Sequence, residues 1–124
     1  MDKYTSEELE STQKVVSSVI KRCEKAQLKF TEGTSQHTLL KNRLKAMYIS
    51  KSLLTDEIDS TSQTYTKEEL TEAIKPVSSV ISKCEKAQIK FTEGTAHHTR
   101  FQNIINAMNI SKSLIIDEIS KRER

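Results

Sequence analysis

The side chains able to do chemistry in this 124-residue chain are few, and most of them occur in pairs. There are three histidines, His37, His97 and His98, and two cysteines, Cys23 and Cys84. His37 follows the turn-like stretch Glu32-Gly33-Thr34, and His97 and His98 follow Glu93-Gly94-Thr95. An imidazole beside a carboxylate can move protons or hold a metal. If the two stretches meet, Glu32, Thr34, His37, Glu93, Thr95, His97 and His98 form a patch that a ligand or partner could read. The plainer reading is two turns, each followed by a helix cap. A metal centre needs three or four ligands at suitable spacing. The chain has no Cys-x-x-Cys, no His-Glu-x-x-His and no Glu-x-x-His of the di-iron bundle kind. No metal and no cofactor is therefore expected.

Cys23 and Cys84 lie about ten residues before the glycine turns, roughly 15 Å along a helix from His37 and His98. That distance disfavours a Cys–His nucleophile pair. Two cysteines do not make a disulfide framework, and on an apolar stripe each acts as a small hydrophobe. The two thiols are expected to face each other across a seam. No nucleophile–base–orienter set, Gly-rich phosphate loop or cleft-bound carboxylate pair is visible, so the chain reads as a non-enzyme.

The lysines form a second candidate set, for anions. Lys21, Lys25 and Lys29 stand at i, i+4 intervals, and the matching row keeps Lys86 and Lys90 with Ser82 at its first position. Lys51 and Lys112, in Ser50-Lys51-Ser52 and Ser111-Lys112-Ser113, fall on an apolar stripe. A lysine there is a buried amine (for Lys51, with Asp56 or Glu57 as its expected partner), an anion site or a register device, or it snorkels to water. Yet 20 bases against 17 acids give a net charge of only +3. Glu24, Glu32, Glu85 and Glu93 lie close by, and no aromatics interleave. A solvated helix face is the plainer reading, and nucleic acid is not the expected partner.

What must position these residues is one unit written twice. Residues 4–58 align without gaps on residues 65–119 at an offset of 61, with 35 identities in 55 positions. Two Gly and one Pro in the whole chain argue against a β-sandwich or barrel, which needs frequent turn residues. Each unit instead carries helical periodicity. Leu9, Val16, Val19, Cys23, Ala26 and Phe30 recur at spacings of 3, 4 or 7, as do Leu70, Ala73, Val77, Val80, Cys84, Ala87 and Phe91. Thr5 and Glu8 make a capping box at the start. Gly33 and Gly94 stand where a left-handed residue would end the first helix, and Thr34 or Ser35 can cap the next. Leu40, Leu44, Met47, Leu54 and Ile58 form the second stripe, matched by Phe101, Ile105, Met108, Ile115 and Ile119.

The expected fold is all-α: two tandem αα-hairpins forming one antiparallel, up-down-up-down four-helix bundle over residues 1–124. Repeat 1 covers 4–58, a linker 59–64, repeat 2 65–119, and a frayed tail 120–124. Helices of about 25 residues would be about 38 Å long. A six-residue linker spans at most about 20 Å, so both glycine turns should share one end. Pro76, in place of Val15, is expected to kink or break the third helix near residues 74–76 and to leave 66–74 as a separate short helix. In that event the linker could reach further, and the turns would lie at opposite ends.

No apolar run of 18 residues suggests a membrane span, and the polar start is unlike a signal peptide, so the cytoplasm is the expected compartment. Absence of reactive groups on an amphipathic scaffold points to a non-catalytic interaction module of adaptor, inhibitor or immunity type, with an unidentified protein partner. The alternatives are a nucleic-acid or phosphate-binding module using the lysines, and a metal- or ligand-binding bundle at the turn end. Self-association through Ile20, Leu28, Ile81 and Ile89 is a further expectation.

Overall fold

The computed structural model of the chain describes residues 3–59 and 65–122, with only the backbone described at 57–59. Four helices follow one another: α1 (Ser6–Gln27), α2 (Ser35–Asp59), α3 (Lys67–Gln88) and α4 (Ala96–Arg122), with no strand among the described residues. The first and third start for the same local reason. The Thr5 hydroxyl accepts from the Glu8 amide and the Glu8 carboxylate accepts from the Thr5 amide, both at 3.0 Å, and Thr66 with Glu69 repeats the box at 3.0 Å. Two otherwise orphaned donors are satisfied at each start.

The helices end earlier than the apolar stripe suggests. α1 stops at Gln27 and α3 at Gln88, each followed by a residue still in the right-handed region, Leu28 and Ile89. The Lys29 and Phe30 amides then bond back to the Ala26 and Gln27 carbonyls at 3.1 Å, tightening the chain. Gly33 therefore does not terminate α1. It is the third residue of a β-turn closed by the Thr34 amide on the Thr31 carbonyl at 3.2 Å, with φ +94°. Such a turn needs a positive φ at that position, which glycine adopts without strain. Gly94 repeats it at the same angle.

Pro76 does not break α3, which is one helix from Lys67 to Gln88, so the separate short helix over 66–74 does not form. Its ring faces the groove towards α2, bordered by Ala46 and Ile49. At the other terminus α4 runs on to Arg122, whose Nη1 donates to the Tyr65 carbonyl and whose Nε meets the Glu118 carboxylate at 3.2 Å. Residues 120–122 are thus helical and tied, not frayed; 123–124, like 60–64 of the expected linker, lie outside the described residues.

Each helix packs on its sequence neighbour, α1 also on α4, and α2 meets α4 across the diagonal, whereas no Cα atoms of α1 and α3 come within 8 Å. Lys3, just before α1, donates to Ser113 near the end of α4 at 2.8 Å, while Arg22 near the end of α1 lies beside Gly94 and Ala96 at the start of α4. The bundle is therefore antiparallel, and both glycine turns share one end. All four helices reach the fully buried centre: Val16 of α1, Met47, Ser50 and Leu54 of α2, Leu70 and Val77 of α3, and Met108, Ser111 and Ile115 of α4, all 0 % exposed. Val19, Ile20 and Cys23 of α1 and Ala73, Val80 and Cys84 of α3 extend it.

Two stability effects follow from these local geometries. At Gly33 and Gly94 no atom lies within 4 Å of where a Cβ would stand, so Gly33→Ala or Gly94→Ala acts through backbone strain alone. Each should cost about 1 kcal/mol in urea unfolding. Pro76→Ala restores a helix donor and should raise the unfolding free energy by about 1–3 kcal/mol in the same measurement.

Candidate functional site

The early stop of α1 and α3 leaves apolar side chains beyond the core. Leu28 is 87 % exposed and Ile89 is 84 % exposed, with Phe30 and Phe91 at 40 % and 37 %. All four sit on the paired turns at one end of the bundle. The aromatic stripe positions expected to be core are thus surface. Of the apolar positions expected to be spare, only Leu28 and Ile89 are; Ile20 is core at 5 % exposure, and Ile81 is half-buried against it.

The second turn is the more braced of the two. The Phe91 ring stacks on His97 with centroids 4.7 Å apart and on Phe101 at 5.9 Å. Gln88 donates to the His98 carbonyl at 3.2 Å and to Gln102 at 2.9 Å, fastening the end of α3 to the start of α4. In the first turn Gln36 and Leu40 stand where His97 and Phe101 do, so the same aromatic stack cannot form.

Thr34 and Thr95 serve the turns themselves. Their hydroxyls donate to the Thr31 and Thr92 carbonyls at 2.7 and 2.8 Å and accept from the His37 and His98 amides at 3.3 Å. They cap α2 and α4, which leaves Glu32, Glu93 and the imidazoles as the polar rim. Glu32, Glu93 and His97 are exposed, while His37 and His98 are half-buried. Among the described residues no three His, Cys, Asp or Glu side chains come together as metal ligands.

The lysine row does not continue along one face: Lys21 and Lys25 are on α1, but Lys29 and Lys90 lie past the ends of α1 and α3. Lys21, Lys25, Lys29, Lys86 and Lys90 are exposed. Lys51 is exposed too, at a shallow cleft it shares with Lys14 and Lys21, so it is no buried amine; Lys112 is half-buried. Nearby, the Tyr48 hydroxyl donates to Glu24 at 2.6 Å, and that bond to a carboxylate raises its pKa.

Cys23 and Cys84 are buried and free. No Cα atoms of α1 and α3 come within 8 Å of each other, further than the roughly 7 Å that a disulfide allows, so the two thiols cannot bridge as they stand. Arg43 of α2 intervenes. Burial raises both thiol pKa values, and the Arg43 charge opposes that rise at each. Arg43 Nε and Nη2 are buried without a hydrogen-bond partner. Sequence reasoning passed over this residue, although a signal existed: the matching position is Ile104, an apolar residue at 9 % exposure.

The chain matches no protein-family model, no curated protein and no solved structure.

Three measurements check the thiol–guanidinium layer. Both thiols should react with a disulfide reagent far more slowly in the folded protein than in urea, since the thiolate is the nucleophile and burial suppresses it. The raised folded-state pKa also means the unfolded chain ionises first, so this contribution to stability is intact below the ordinary thiol value of 9.0 and falls as pH rises past it. Arg43→Met, which removes two unpaired buried donors, should stabilise the bundle by about 1–3 kcal/mol.

Proposed function

We propose that the protein is a non-catalytic helical module that recognises a partner protein through its glycine-turn end. One observation carries this reading: Leu28 and Ile89, at matching positions of the two hairpins, are 87 % and 84 % exposed at the same end of the bundle. A single exposed leucine is ordinary. Two of them at one end of the bundle, each beside a half-exposed phenylalanine in its own turn, give that end more exposed apolar surface than scattered single residues do, and such surface marks association sites.

The surroundings support the reading. Lys25, Lys29, Lys86 and Lys90 with Glu32 and Glu93 flank these turns in sequence as exposed charges of both signs, the composition of a polar interface rim. No helix of the described residues is long and apolar enough to cross a membrane.

The test is affinity capture from the native host with the wild-type chain and a Leu28→Glu/Ile89→Glu variant in parallel, read by mass spectrometry. Both positions are so exposed that the variant should keep the wild-type melting temperature. A partner held by wild type and lost at least about tenfold by the variant is the expected result. Equal recovery on both baits removes the turn end as the interface.

A further inference from the structure

Away from the turn tips, the seam between α1 and α4 opens into a cleft of about 550 Å³, within the size range of small-molecule sites. Its floor is apolar, built from Val15, Val19 and Ile104. Its rim carries two guanidiniums, Arg22 from α1 and Arg100 from α4, with Ser18, Thr99 and Asn103 between them as neutral hydrogen-bonding groups. No carboxylate lines it, in a chain with 17 acidic residues. Both arginines are exposed, and neither forms an ion pair with another described residue. The start of α4, at Ala96, also borders the cleft and adds the positive end of its dipole to the same field.

The internal duplication shows what distinguishes this cleft. Ser18, Val19, Gly94, Thr99 and Asn103 have identical residues at the matching positions Ser79, Val80, Gly33, Thr38 and Asn42. The departures are Arg22 against Lys83, Arg100 against Leu39, Ile104 against Arg43, Val15 against Pro76 and Ala96 against Ser35. The α1–α4 half therefore has an apolar floor residue beneath two bidentate donors. The matching positions of the other half hold Arg43 for the floor isoleucine and Lys83 and Leu39 for the two arginines.

We propose that the α1–α4 cleft binds an amphipathic organic anion, with a carboxylate or phosphate head between Arg22 and Arg100 and an apolar tail on Val15, Val19 and Ile104. Guanidinium forks match the geometry of either head group, and a tail on the floor removes apolar surface from water. This site is separate from the turn-end interface and does not depend on it.

The experiment is an amide chemical-shift titration of the full chain with four probes: octanoate, octyl phosphate, octyltrimethylammonium and inorganic phosphate. The expected result is saturable shifts at Ser18, Arg22, Gly94 and Thr99 with one or both octyl anions, and none with the octyl cation. Whichever octyl anion binds tighter names the head group, and inorganic phosphate should bind more weakly than octyl phosphate. Arg22→Gln/Arg100→Gln should weaken binding by about tenfold or more, and Ser18→Trp, which fills the cleft from an exposed position, should abolish it. Far-UV circular dichroism checks that both variants keep their helix content. Binding by the cation as tight as by the anions, shifts centred on Leu28 and Ile89, no saturable shift with either octyl anion, or unchanged affinity in both variants would overturn the assignment.

Discussion

The contact on which the bundle depends is the meeting of α2 and α4 across its diagonal. These two helices close the diagonal, and the backbones of α1 and α3 stay apart on the other one, with no Cα atoms within 8 Å. Met47, Ser50 and Leu54 on one side and Met108, Ser111 and Ile115 on the other are wholly excluded from water, a dense strip in which each lost methylene is felt. The outer helices need only a narrow stripe, since they lie against this strip from one side. That explains how a chain with 35 % apolar residues can still enclose a core. Ser50 fits there by turning its hydroxyl back to the Ala46 carbonyl at 2.9 Å, a bond that satisfies the group without leaving its own helix. Ser111 has the same burial without such a partner, so the two halves are not energetically identical at this level.

The same arrangement generates the surface features. Helices within a hairpin are held by their turns, but the seams between hairpins, α1–α4 and α2–α3, are grooves. They are related by the duplication: Ala46, Ile49, Glu69 and Pro76 line one, and Ala107, Ile110, Glu8 and Val15 line the other at matching positions. In the α2–α3 groove Lys45 and Glu69 approach to 3.6 Å across the opening. The α1–α4 seam carries Asn106 at the position of Lys45, and towards the turns it continues into the cleft with Arg22 and Arg100. Divergence of a few residues has made two like grooves chemically unlike.

The helical class, the caps and the hairpin order were legible in the sequence because they rest on local rules. The Thr5–Glu8 and Thr66–Glu69 boxes and the spacing of Val16, Val19 and Cys23 need no knowledge of what packs where. The short linker, by limiting reach, also fixed which end holds the turns. What was not legible depends on tertiary context. Phe30 and Phe91 continue the stripe in sequence, yet the chain leaves the helix at Gln27 and Gln88 and carries them to the surface. Lys51 sits in register with Met47 and Leu54, but the inner face of α2 turns it outwards to water. Pro76 costs a helix hydrogen bond, and packing of α3 against α2 and α4 is strong enough to keep the helix whole across it. Arg43 was overlooked because periodicity marks apolar positions and passes over a cation that stands among them.

Arg43 has a consequence for assembly. A bundle made from two first hairpins would set a second guanidinium against the first in the layer of the thiols, where there is little water to screen like charges. Two second hairpins would meet no such obstacle, having Ile104 in that place. The exchange of one residue thus makes the two hairpins unequal at that level, the leading one bringing a guanidinium where the trailing one brings an aliphatic side chain.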